Sequence, residues 1–142
     1  MRRIQEKTLS GSAAFDTHSA RDFGLRHASR YNNPMDRTFL IDTDTASDDA
    51  VALIMALRAP DVRVAAITTV AGNVAVAQAT RNALYVAELC GSQVPVFAGA
   101  SQPLWREHMH AEWFHGKDGL GDHGYPAPRR APEAQHAVDA II

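Results

Sequence analysis

The sequence predicts an α/β fold, a parallel sheet with flanking helices, and three observations carry that expectation. From Arg37 onward, short apolar runs alternate with longer stretches whose apolar residues recur at helical spacing. The connections between these stretches are only a few residues long, which suits right-handed crossovers between parallel strands. The first apolar run ends in four carboxylates within eight residues, Asp42, Asp44, Asp48 and Asp49, and passes directly into a second apolar stretch. A strand that ends in acids and turns into a helix is where open α/β sheets hold ligands.

Thr38–Asp42 reads as a buried strand: short, apolar and closed by turn-forming polar residues. Ser47 reads as the N-cap of the following helix, with Asp48 and Asp49 suited to the positive end of its dipole. That helix is expected to run to about Arg58, where Ala59-Pro60-Asp61 stops it. Val62–Val70 is the second strand and Ala71-Gly72-Asn73 a tight turn. Val74–Leu89 is an amphipathic helix ended by Gly91. Val94–Phe97 is a short third strand, in which Pro95 argues against a central position. Residues 98–132 carry Gly, Pro, His and Trp without a period and exceed an ordinary connection, and Trp113-Phe114 points to a loop that packs on something. Arg81 and Glu88 read as the solvated face of the second helix, and Arg129-Arg130 as a solvated loop. Pro132-Glu133 opens a last helical pattern, Ala134–Ile142, and the chain stops inside it. Three strands alone leave an open edge, so residues 36–142 read as a truncated domain.

At 142 residues and 46% hydrophobic, the chain is long enough for one domain with a real core. A net charge of −2 gives no reason to expect nucleic acid or an anionic membrane as partner. The longest apolar stretch, Ala50–Leu57, falls far short of the about 20 residues that cross a bilayer. Cys90 is the only cysteine, which excludes an intrachain disulfide and fits a reducing, cytoplasmic setting. Residues 1–35 are polar, lack a sustained apolar period and read as a disordered extension. Arg2, Arg3 and Lys7 are not followed by the apolar segment of about 7–15 residues that a secretory signal needs.

Crowding four carboxylates costs free energy unless a cation or a hydroxyl-rich ligand offsets it, so a divalent metal site is the first reading. Asp44 at the strand end and Asp49 in the first helical turn can converge on one ion. Asp48 then projects beside them, placed to accept hydrogen bonds from sugar hydroxyls. The plain alternative, a surface turn with helix-favouring acids, suits two acids better than four behind a buried strand. A calcium-binding EF-hand loop needs Gly at its sixth position and Glu at its twelfth, where this chain has Ser47 and Leu53. Phosphatases of the haloacid-dehalogenase type also start Asp-x-Asp, with Thr or Val fifth. Here the fifth residue is Ala46, and the adjacent Asp48-Asp49 pair goes unexplained by that type. His108-Met-His110 lacks a third ligand at a familiar spacing for a transition metal.

Three motifs in order, Asp42-Thr-Asp-Thr-Ala-Ser-Asp-Asp-Ala50, Ile67-Thr-Thr-Val-Ala-Gly-Asn73 and Phe114-His-Gly-Lys-Asp-Gly-Leu-Gly121, resemble the inosine-uridine-preferring nucleoside hydrolases. The resemblance covers about residues 36–142; Thr45-Ala46 stands where the family usually has Pro-Gly, which alters the turn but removes no ligand. It implies a Rossmann-like sheet and Ca²⁺-dependent hydrolysis of ribonucleosides to ribose and free base. Carried over by residue, it implies Asp44 and Asp49 as Ca²⁺ ligands and Asp44 also as the general base for the attacking water. Asp48 and Asn73 become ribose ligands, His115 a mobile-loop histidine near the nucleobase, and Asp42 a support behind the metal ligands. Taken alone, Asn73 reads as a left-handed turn residue and His115 as a solvated loop histidine. Family members continue past this length, and their later half completes the metal shell and supplies further ribose ligands. The resemblance also implies a homo-oligomer for the full-length form. For the 142 residues by themselves, the competing expectation is a non-catalytic binding or assembly module.

Overall fold

The computed structural model describes residues 37–142, so the extension expected over residues 1–35 lies outside the described residues. Strands β1 (Arg37–Thr43), β2 (Val62–Thr69) and β3 (Val96–Ala98) form a parallel sheet in the order β1-β2-β3. Helices α1 (Ser47–Arg58) and α2 (Val76–Leu89) make the two crossovers and pack against each other and against β2. Sequential parallel strands joined by crossovers of one hand place both helices on the same face of the sheet.

The core lies between that face and the helices. Leu53 of α1, Ile67 and Val96 of the sheet, and Ala83, Val86 and Ala87 of α2 meet there, all buried. In α2 the small residues Ala79, Ala83 and Val86 recur at helical spacing and are buried, while Arg81 points outward. Ala59 adopts an extended conformation before Pro60 and ends α1. Gly91, at φ 68°, takes the left-handed position just past α2.

Several expectations shift. β1 is not a buried strand: Phe39 is 41% and Leu40 43% exposed. Among the described residues β1 pairs along one edge only, and an apolar run reads the same whether or not its second neighbour is present. α2 begins at Val76, after a buried Val74. β3 starts at Val96, leaving Pro95 outside the strand with its carbonyl accepting from Ile67 N–H at 3.0 Å. The long segment after β3 contains one short helix, α3 (Glu112–His115). The last helix, α4 (Ala137–Ile141), is shorter than its pattern because Glu133 bridges to Phe97, its N–H donating to Val96 O at 2.9 Å.

Glu88 and Arg130 are not free surface charges either. Glu88 Oε1 accepts from Arg129 N–H and Arg130 N–H, each at 2.8 Å, and the Arg130 guanidinium donates to Val94 O at 3.0 Å. No helix among the described residues is long and apolar enough to cross a membrane.

Candidate active site

Parallel strands put their carboxyl ends on one edge, and the acids lie at the end of β1. Register places Asp42 beside Thr68 and Thr43 beside Thr69. Because side chains alternate along a strand, each pair faces a different side of the sheet. Thr68 Oγ1 donates to Asp42 Oδ1 at 2.6 Å, which ties that carboxylate to β2. On the helix side, the Thr69 and Thr80 hydroxyls lie 2.7 Å apart, Thr80 also reaching Val76 O at 2.7 Å and Thr69 reaching Phe97 O at 3.3 Å. These buried threonines fix the ends of β1 and β2 against the start of α2.

The turn after β1 is held by its own polar groups. Thr45 N–H donates to Thr43 Oγ1 at 3.0 Å, and the two hydroxyls lie 3.2 Å apart. The N-cap is Ala46, not Ser47. Alanine has no side chain to cap with, and Asp49 Oδ2 instead receives Ala46 N–H at 3.4 Å, a long bond. The helix thus starts one residue earlier than Ser47 suggests, and the Ser47 hydroxyl is free to reach His115 Nδ1 at 2.8 Å.

Asp44 is seated against the Gly72-Asn73 turn. Its Oδ2 accepts Asn73 N–H at 2.6 Å. A Cβ on Gly72 would stand 2.0 Å from that oxygen, so only glycine permits the approach. Asn73 therefore contributes main-chain groups: its N–H holds Asp44, and its carbonyl accepts from Ala111 N–H at 2.9 Å. It is not left-handed, since Asp122 is the one non-glycine residue with positive φ among those described. His108 Nε2 donates to Gly72 O at 2.7 Å, which pins the segment after β3 onto the same turn. His108 and His110 gather no third ligand, and among the described residues no group of three His, Cys, Asp or Glu side chains is arranged around a metal.

Asp49 carries the clearest electrostatic signature. Burial raises its pKa above the ordinary carboxylate value, and a hydrogen bond with the Asp44 carboxyl raises it further. The Ala46 N–H pulls the other way, while the charges of Asp44 and Asp48 push up. Asp49 therefore feels Asp44 as a close like-charged neighbour. An oxygen-only pair with that repulsion fits a hard divalent cation, whose charge would offset it.

Asp48 points outward, its side chain 77% exposed, with Oδ1 3.9 Å from His115 Nδ1. His115 is 8% exposed and bonded to Ser47, which overturns its reading as a solvated loop residue. The structure thus brings together Asp44, Asp49 and the Asn73 main chain, and places Asp48 beside His115; Asp42 is tied to Thr68. Reading the sequence missed Asn82, which is 2% exposed and donates to both Thr45 O and Asp118 O. The available signal was an amide on an otherwise small and apolar helix stripe, where a buried polar group needs specific partners.

The profile of the family described as inosine-uridine preferring nucleoside hydrolase matches residues 39–142. The chain belongs to that family. It is 42% identical over 110 residues to the inosine-uridine preferring nucleoside hydrolase of Crithidia fasciculata, covering 76% of this chain and 35% of that protein. It is also 42% identical over 108 residues to a pyrimidine-specific ribonucleoside hydrolase of a Shewanella species, covering 75% of this chain and 34% of that protein. A solved plant nucleoside hydrolase superposes with a TM-score of 0.70 at 38% identity, over 75% of this chain and 34% of that one. This nucleoside hydrolase chain therefore spans about a third of the length of the relatives it matches. Its parallel α/β sheet is the part of the fold shared with them.

Proposed function

We propose that the protein to which these residues belong is a Ca²⁺-dependent hydrolase of ribonucleosides, releasing ribose and free base. The observation that carries this reading is the seating of Asp44 on Asn73 N–H just beyond β1, with Asp49 in the first turn of α1 and Asp48 exposed beside it. Asp44 and Asp49 would hold the ion, which when bound supplies positive charge that acidifies water and binds oxygen ligands. Asp44 is also the base for the attacking water, and Asn73 N–H fixes its carboxylate by donating to Oδ2. Asp48 accepts hydrogen bonds from ribose hydroxyls, and Asn73 lies where the ribose edge would meet the turn. Cleavage of an N-glycosidic bond develops positive charge on the sugar, which the surrounding carboxylates stabilise. The Nδ1 atom of His115 is taken by Ser47, so Nε2 is the atom left to face a nucleobase. Asp42 supports the end of β1 through Thr68. The reading includes a cytoplasmic, homo-oligomeric full-length protein.

The test is ribose release from inosine and uridine, run beside p-nitrophenyl phosphate with Ca²⁺ and then Mg²⁺. Phosphate release without ribose release rejects the proposal. Two carboxylates leave most of the about 6–8 coordination positions of Ca²⁺ unfilled. Residues 1–142 alone are therefore expected to bind it weakly and to give little or no turnover. A monomeric 142-residue protein with robust ribose release, lost in Asp44→Ala, would overturn that second expectation and show that this portion holds a sufficient site.

A further inference from the structure

The acid turn after β1 and the glycine-rich segment after α3 are distant in sequence, yet both rest on one side chain of α2. The Asn82 carboxamide is 2% exposed. Its Nδ2 donates to Thr45 O at 3.0 Å and to Asp118 O at 2.8 Å, and its Oδ1 accepts from Gln78 Nε2 at 2.8 Å. The orientation is forced: exchanging the two atoms would set an oxygen against two carbonyls and an NH₂ group against the Gln78 donor. Thr45 follows Asp44 directly and precedes the helix that carries Asp48 and Asp49. Asp118 belongs to a segment bonded to itself, with Gly119 N–H on Gly116 O, Gly121 N–H on His115 O, and Leu120 N–H and Asp122 N–H on Asp118 Oδ1.

That segment approaches Asn82 closely. Gly119 has φ 72°, and a Cβ there would lie 3.1 Å from Nδ2 and 3.0 Å from Val74 Cγ1. The second link between the two parts is Ser47 Oγ to His115 Nδ1. Ser47 is exposed, whereas Asn82 is enclosed, so the amide is the contact that water cannot readily replace.

We propose that Asn82 is a positioning residue of the site, coupling the turn between Asp44 and the helix of Asp48 and Asp49 to the segment that follows His115. It touches no substrate; it sets the spacing between the groups that do. This inference builds on the nucleoside-hydrolase reading, but its test needs no turnover, so the two fail separately.

Asn82→Leu keeps the branched shape at slightly larger volume and removes both donors and the acceptor. In the 142-residue chain, amide hydrogen exchange is measured by NMR together with the ring ¹⁵N shifts of His115. The expected result is about tenfold faster exchange at Ala46, Leu120 and Asp122, with β2 amides from Ile67 to Thr69 unchanged. The His115 ring pattern, set by a hydroxyl on Nδ1, should move toward that of free histidine. Ser47→Ala should change the His115 ring while leaving Leu120 and Asp122 protected. A uniform rise in exchange across the sheet, or no change at Ala46 and Leu120, overturns the proposal. If Asn82→Leu does not fold, Gly119→Ala disturbs the same contact from the loop side; faster exchange at Ala46 then supports the coupling, and unaltered protection there refutes it.

Discussion

Gly72→Ala is the sharpest test of how the site is built. The new methyl would stand 2.0 Å from Asp44 Oδ2 and 2.6 Å from both Cβ and Cγ of the same residue. Rotating the carboxylate cannot relieve contacts to Cβ and Cγ together, so the turn or the end of β1 must move. Either movement breaks the 2.6 Å bond from Asn73 N–H to Asp44 Oδ2. A hydrogen bond to a charged group contributes about 1.5–3 kcal/mol, and overpacking costs about 1–3 kcal/mol. The sum, about 2.5–6 kcal/mol, is a large part of the roughly 5–15 kcal/mol that holds a domain folded. The cost is steric, because Gly72 is not among the glycines with positive φ. Urea denaturation should show a lower midpoint with an unchanged slope, and calcium titration an affinity reduced by about tenfold or more. Gly91→Ala is the control: nothing lies within 4 Å of its Cβ position, so it strains only the backbone and should leave calcium binding alone. A Gly72→Ala protein with wild-type stability and wild-type calcium affinity would refute the seating of Asp44 on this turn.

The raised pKa of Asp49 means that, without metal, the native chain holds a proton the unfolded chain has lost once pH exceeds the ordinary value of 3.8. Its stabilising contribution is complete below that value and declines as pH rises through the native pKa. Urea midpoints in EDTA should therefore fall more steeply with pH in wild type than in Asp49→Asn, and calcium should restore them; equal slopes in the two proteins contradict the assignment. Thr68→Val removes the donor to Asp42 and should cost about 1 kcal/mol, since Asp42 is exposed and water replaces part of the bond. Calcium affinity should drop far less than in Asp44→Asn, and equal losses by titration calorimetry would make Asp42 a ligand rather than a support.

The sequence by itself determined the α/β class, the strand and helix order from Arg37 to Leu89, and the identity of the acids. Those features depend on local pattern: apolar period, strand-end carboxylates, Pro60 after α1 and Gly91 after α2. The three motifs also sufficed to point to the family that the comparisons bear out. What tertiary structure decided concerns contacts between segments far apart in the chain. Ser47 looks like a cap in sequence, but its hydroxyl answers to His115, which no local rule brings near. Asn73 looks like a left-handed turn residue and instead lends its N–H to Asp44. Glu133 reads as the opening of a helical pattern and instead pairs with β3, because an unpaired strand edge competes for its main chain. β1 reads as buried from its apolar run, and its exposure depends on which strand lies beside it. Asn82 sits in an apolar stripe whose spacing says only that the position faces inward. Its role follows from two carbonyls that the fold delivers to one point, where a buried amide is needed to satisfy them.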